Sequence, residues 1–92
     1  MINIYMFFRI LQELMNNSLR HGKATQISID FDEQNGVKIG TYLDNGIGFD
    51  SENVENLKGL GMKNIESRIS FLDGTLEINS AINKGILVVF TF

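Results

Sequence analysis

The chain has 92 residues, room for one small domain. Eight Lys and Arg against eleven Asp and Glu give a net charge of −3, which argues against a nucleic-acid-binding arm or a polybasic membrane patch. The absence of cysteine excludes disulfide scaffolds, zinc ribbons and thiol catalysis, and a single histidine, His21, excludes a His-rich metal site.

The spacing predicts a helix from Ile4 to His21. Ile4, Phe8, Leu11, Met15 and Leu19 recur at steps of four, three, four and four, and Phe7, Ile10 and Leu14 widen the apolar face. The most apolar stretch, Ile4 to Leu11, contains Arg9 and is far shorter than the roughly 20 residues that span a bilayer, so no direct membrane contact is expected. Gly22 stands where a helix stop is expected. Gln26 to Asp32 alternates, with Ile27, Ile29 and Phe31 on one side and Ser28, Asp30 and Asp32 on the other, as in a half-buried strand. Asn35-Gly36 signals a hairpin turn. A second strand follows, with Val37, Ile39, Thr41 and Leu43 on one face. Asp44 to Gly61 holds four of the nine glycines and a polar middle, and reads as a long functional loop. Met62 to Leu72 returns to helical spacing, with Met62, Ile65, Ile69 and Leu72 on one face and Asp73-Gly74 as its end. Thr75 to Ser80 and Ile86 to Phe92 are two more strands, joined by the turn Ala81 to Gly85. This order predicts one domain over 1–92, an α+β two-layer sandwich with both helices on one face of a largely antiparallel sheet.

Three short segments carry candidate chemistry. Glu13 and Asn17 are four apart and Arg20 lies on the same stripe of the first helix, with His21 beside it. A solvated edge with an Arg9–Glu13 or Glu13–Arg20 ion pair has the same spacing. Asp44-Asn45-Gly46-Ile47-Gly48 puts an acid at a strand end, followed by alternate glycines. Such glycines let a ligand approach the backbone, and the carboxylate accepts a hydrogen bond from an exocyclic amine; the same residues also suit a plain turn. Gly59-Leu60-Gly61-Met62 opens the second helix, where free amide N–H groups favour an anion, and Lys58 and Lys63 flank it.

Taken together and in this order, the three segments resemble the nucleotide-binding boxes of the Bergerat-fold ATPases, the superfamily of gyrase, histidine kinases and MutL. Glu13-Leu14-Met15-Asn16-Asn17 with Arg20-His21 resembles the N box, Asp44 to Gly48 the first glycine box, and Gly59 to Met62 the second. The wider stretches Arg9 to Thr25, Gly59 to Arg68 and Gly74-Thr75-Leu76 resemble the catalytic domain of bacterial sensor histidine kinases that pair with LuxR-like response regulators. The resemblance implies a cytoplasmic ATP-binding domain. It implies Asn17 as Mg²⁺ ligand, Glu13 as base or water-orienting carboxylate, and Arg20 and His21 facing the triphosphate. Asp44 would receive the adenine amino group, Gly46 and Gly48 would let the loop pass against the base, and Gly59, Leu60, Gly61 and Met62 would form the lid hinge and bring amides to the phosphates. The implied partners are a dimerisation domain bearing the phosphoacceptor histidine and a response regulator.

Three departures accompany the resemblance. Gly85-Ile86 stands where the family carries Gly-Thr near the last strand. The family strand that precedes the N-box helix has no counterpart here, so the domain reads as N-terminally truncated and self-association through the apolar first helix is expected. His21 matches the N box, so the acceptor histidine lies on another segment. A stand-alone serine kinase of the anti-sigma type and a degenerate binding module without turnover are the alternatives.

Overall fold

The structure, a computed structural model, describes residues 4–48 and 62–92. Its elements are helix α1 (Ile4–Arg20), strands β1 (Ile27–Gln34) and β2 (Val37–Asp44), helix α2 (Met62–Phe71), and strands β3 (Leu76–Ser80) and β4 (Ile86–Thr91). The strands form one antiparallel sheet in the order β1-β2-β4-β3. Ile10 and Leu14 of α1 and Ile65 and Ile69 of α2 pack with Tyr42, Ile86, Val88 and Phe90 of the sheet in one core. This is the α+β sandwich that the order of elements predicts. Among the described residues no helix is long and apolar enough to cross a membrane.

The β1–β2 turn is made by Asn35 and Gly36, both with positive φ, 54° and 81°. That conformation matches the twist of the flanking strands and favours this residue pair. It pairs Gln34 with Val37 and carries the register up to Ile27 opposite Asp44.

Two faces differ from the sequence expectation. On α1 the buried residues are Ile10, Leu14 and Ser18, whereas Phe8, Met15 and Leu19 are 59%, 39% and 63% exposed. Phe8, Met15 and Leu19 of the expected core row therefore lie on the outward side, Leu11 packs partly buried against the core, and Ile10 and Leu14, read as widening the row, face the sheet. A helix apolar around much of its circumference leaves the choice of stripe to tertiary packing. On β2 the buried positions are Gly40, Tyr42 and Asp44, while Val37 and Leu43 are exposed. Pairing places Gly40, Tyr42 and Asp44 opposite Phe90, Val88 and Ile86, all buried, so the helices cover that face and not the one bearing Val37, Ile39, Thr41 and Leu43. β1, expected to be half-buried, is largely exposed because it forms one edge of the sheet. Of its apolar side, Ile27 is half-buried against the core and Phe31 meets the rings of Phe7 and Phe92.

Leu14→Ala should cost about 2–5 kcal/mol, the usual range for a core cavity. Leu19→Ala should stay within about 0.5 kcal/mol, as for an exposed site. Denaturant unfolding checks both, and equal losses would contradict the assigned stripe.

Candidate functional site

The site is built around Asp44, the last residue of β2, which is buried. Its Oδ1 accepts the amide of Gly46 at 3.0 Å, closing a local Asx turn that ends the strand. The same oxygen accepts the amide of Ile86 at 3.1 Å from the neighbouring β4. Its Oδ2 accepts the Ser18 hydroxyl of α1 at 2.5 Å. A buried carboxylate is costly unless hydrogen-bonded, and here three elements satisfy it. Ser18 Oγ also lies 2.6 Å from the Tyr42 hydroxyl, which reaches the Leu14 carbonyl at 3.2 Å. Burial pushes the Tyr42 phenol above its ordinary range; the Ser18 hydrogen bond opposes this and the Asp44 charge adds to it.

Ser18 ties the predicted helix stripe to Asp44, one residue beyond Asn17. Glu13 and Asn17 are half-buried on α1, and Arg20 and His21 are exposed at its end. The Asn17 carbonyl accepts the amides of His21 and Gly22 at 3.0 and 2.9 Å. The left-handed residue that closes this end is Lys23, with φ 51°, and not the expected Gly22. Glu13 borders a cleft of about 460 Å³ between α1 and α2, with Arg9, Gln12 and Arg68 also in its wall. Arg9 donates to Gln12 Oε1 at 3.4 Å and lies over the Tyr5 ring. Among the described residues the ion pair formed is Lys38–Glu33, and neither the Arg9–Glu13 nor the Glu13–Arg20 pair is among them.

The glycines of the first box have a structural reason of their own. A β-carbon on Gly46 would collide with the backbone carbonyl of Gly22, and the Ile47 amide donates to that same carbonyl at 2.8 Å. Gly48, with φ 63°, would collide with the carbonyls of Ala81 and Gly85. The loop is thus wedged between the end of α1 and the β3–β4 turn, and on the side where a β-carbon would stand both glycines meet protein backbone. Asn45 fastens it further: its Oδ1 accepts the amides of Thr25 and Gln26, both at 2.9 Å. Gly59, Leu60 and Gly61 lie outside the described residues, and Met62 is the first residue of α2. Sequence reading missed Ser18 and Tyr42, and it included Asn45 in the first glycine box without the anchoring role it has here. Polar residues on the buried stripes of α1 and β2 are the signal that points to the first two, once those stripes are known.

The structure thus joins a buried acid at a strand end, through Ser18, to the helix packed on an antiparallel sheet, in an α+β sandwich. The chain belongs to the histidine kinase-, DNA gyrase B- and HSP90-like ATPase family, whose model matches residues 3–92. ATP is accordingly the nucleotide of its class. Its relatives include the sensor histidine kinase ComP of Bacillus subtilis, 35% identical over 85 residues, and the histidine-protein kinase/phosphatase DegS of the same species, 30% identical over 84 residues. These alignments cover 91% and 89% of this chain but only 11% and 22% of the relatives, so the chain spans a small part of their length. The fold is that of the histidine kinase domain of a blue-light activated kinase from Erythrobacter litoralis, with TM-score 0.78, 17% identity, and 95% of this chain and 45% of that one covered. Acinetobacter baumannii AdeS is similar, with TM-score 0.75, 22% identity, and 94% and 45% coverage.

Proposed function

We propose that this chain is the cytoplasmic ATP-binding catalytic domain of a two-component sensor histidine kinase. It would present the γ-phosphate to a histidine on a dimerisation domain, from which a response regulator is served. The observation that carries the reading is Asp44: a buried carboxylate held by three donors, directly bonded to the helix that bears Glu13, Asn17, Arg20 and His21. An ionised carboxylate has about four acceptor positions. With three taken, the remaining one on Oδ2 suits the adenine amino group. Arg20 and His21 would bind the triphosphate as cation and donor. Gly46 and Gly48 would border the base, and Gly59, Leu60, Gly61 and Met62 would close over the phosphates. Glu13 would act at the reacting phosphate, where positioning and charge neutralisation dominate phosphoryl transfer.

Mg²⁺ fits the donor set. Among the described residues no three His, Asp or Glu side chains cluster to hold a metal. Mg²⁺ needs only one or two protein oxygens when phosphates and water complete its shell. Asn17 would supply one. Asn17→Ala should then abolish the Mg²⁺-dependent part of nucleotide affinity and spare Mg²⁺-free binding. Calorimetry with and without the ion checks this, and equal losses would make Asn17 structural.

The reading is tested by joining the chain to a histidine-bearing dimerisation domain and following labelled γ-phosphate. An acid-labile, alkali-stable phosphoprotein supports it. An acid-stable phosphate on serine supports an anti-sigma-type kinase, and no transfer despite ATP binding supports a module without turnover. The exposed apolar residues Tyr5, Phe8, Met15 and Leu19 on α1 further support self-association through this helix, since exposed apolar surface tends to become a contact. Light scattering at low micromolar concentration should show dimers or larger species, and a clean monomer would contradict this.

A further inference from the structure

We infer that Ser18 and Tyr42 are positioning residues that set which nucleobase Asp44 accepts; the inference rests on the reading of Asp44 as the base-contacting carboxylate. Ser18 has one hydroxyl hydrogen, and its 2.5 Å contact to Asp44 Oδ2 uses it. The 2.6 Å contact between Ser18 Oγ and the Tyr42 hydroxyl then takes the Tyr42 hydrogen, which Tyr42 shares with the Leu14 carbonyl at 3.2 Å, so the donors run from Tyr42 to Ser18 to Asp44.

The placement of Tyr42 gives the chain its direction. A serine inside a helix ordinarily turns its hydroxyl back to the carbonyl four residues earlier. For Ser18 that carbonyl belongs to Leu14, and the Tyr42 hydroxyl already stands 3.2 Å from it. By sharing its one hydrogen between that carbonyl and Ser18 Oγ, Tyr42 engages the competing acceptor and leaves Asp44 as the outlet for the Ser18 hydrogen. Ser18 and Tyr42 are 2% and 0% exposed, and among the described residues no buried side-chain polar atom lacks a partner. The backbone amides of Gly46 and Ile86 hold Oδ1, and Ser18 fixes Oδ2. One acceptor position remains, in one orientation. It matches a base with an exocyclic amino group and rejects a purine with a carbonyl at the same place. The hydroxyl on Asp44 thus comes from α1, while position 86, an isoleucine, contributes its amide.

The test is calorimetric titration of the whole chain with ATP and with inosine triphosphate, in which a carbonyl replaces the amino group. Ser18→Ala should weaken ATP about tenfold, the size of one hydrogen bond to a charged group, and lower the ATP-to-inosine preference by a similar factor. Ser18→Thr, which keeps the hydroxyl, should restore most of the preference. Tyr42→Phe frees the Leu14 carbonyl and should lower the preference in the same direction, so it decides the matter if Ser18→Ala does not fold. A folded Ser18→Ala, or failing it Tyr42→Phe, that keeps the full preference would overturn the inference. Asp44→Asn separates the two levels. If it collapses the preference while the Ser18 and Tyr42 variants do not, only the relay is wrong; if it too leaves the preference unchanged, the reading of Asp44 is wrong.

Discussion

Asp44→Asn should weaken ATP binding by about 1–3 kcal/mol while leaving the fold largely intact, whereas Asp44→Ala should lose both binding and about 3 kcal/mol of stability. The contrast follows from the donors around the carboxylate. In the asparagine variant the side-chain oxygen still accepts the amides of Gly46 and Ile86. Its amide nitrogen then donates to Ser18 Oγ. Ser18 in turn donates to Tyr42, and Tyr42 to the Leu14 carbonyl, so the whole chain of hydroxyls reverses along contacts already present. The position facing the base changes from acceptor to donor, which repels an amino group and suits a carbonyl. Inosine or guanosine triphosphate should therefore lose less than ATP, or gain. Alanine offers no such reversal and strands two backbone amides and a hydroxyl in the interior. Thermal melts and calorimetry check both variants. An asparagine variant as unstable as the alanine one would show that the hydroxyl chain is fixed in one direction.

Gly46→Ala should cost at least about 2 kcal/mol in the absence of any nucleotide, since forcing an extra methyl into packed structure commonly costs 1–3 kcal/mol. The obstruction is the carbonyl of Gly22, which is backbone and has no rotamer to move aside. That carbonyl also holds the Ile47 amide, so the whole loop must shift with it. If Gly46 were needed only to admit a ligand, the substitution would leave the ligand-free melt unchanged and weaken ATP alone. The melting curve of the free protein distinguishes the two.

Much of this architecture is legible in the residues. Asn35-Gly36 dictates the first hairpin because both positions need positive φ, and Ile65 and Ile69 mark the buried stripe of α2 as their spacing requires. Asp44 is picked out as an acid at a strand end followed by alternate glycines, a pattern that a ligand site and a plain turn share. The facing of α1 and β2 was not legible. α1 is apolar on several sides, and in β2 the side chains that look most like core, Val37 and Leu43, are exposed while Tyr42 and Asp44 are inside. Local pattern counts apolar residues but does not tell which side a partner element covers. The same limit hid Ser18: a serine among polar neighbours reads as surface until the helix is known to turn that side toward the sheet. The first-box glycines carried the converse ambiguity, because a tight contact with backbone and a close approach of ligand require the same residue.

On the proposed reading, Asp44 and the elements bonded to it form the base-binding end of an ATP site. An amide-resolved NMR titration of the chain with ADP and Mg²⁺ tests it most directly. Gly46 and Ile86, whose amides rest on Asp44, should shift together with Asn17 and Ser18 along one saturating curve, and Asp44→Asn should abolish the shifts at the same nucleotide concentration. Saturable shifts confined to other parts of the chain, or unchanged shifts in Asp44→Asn, would contradict it.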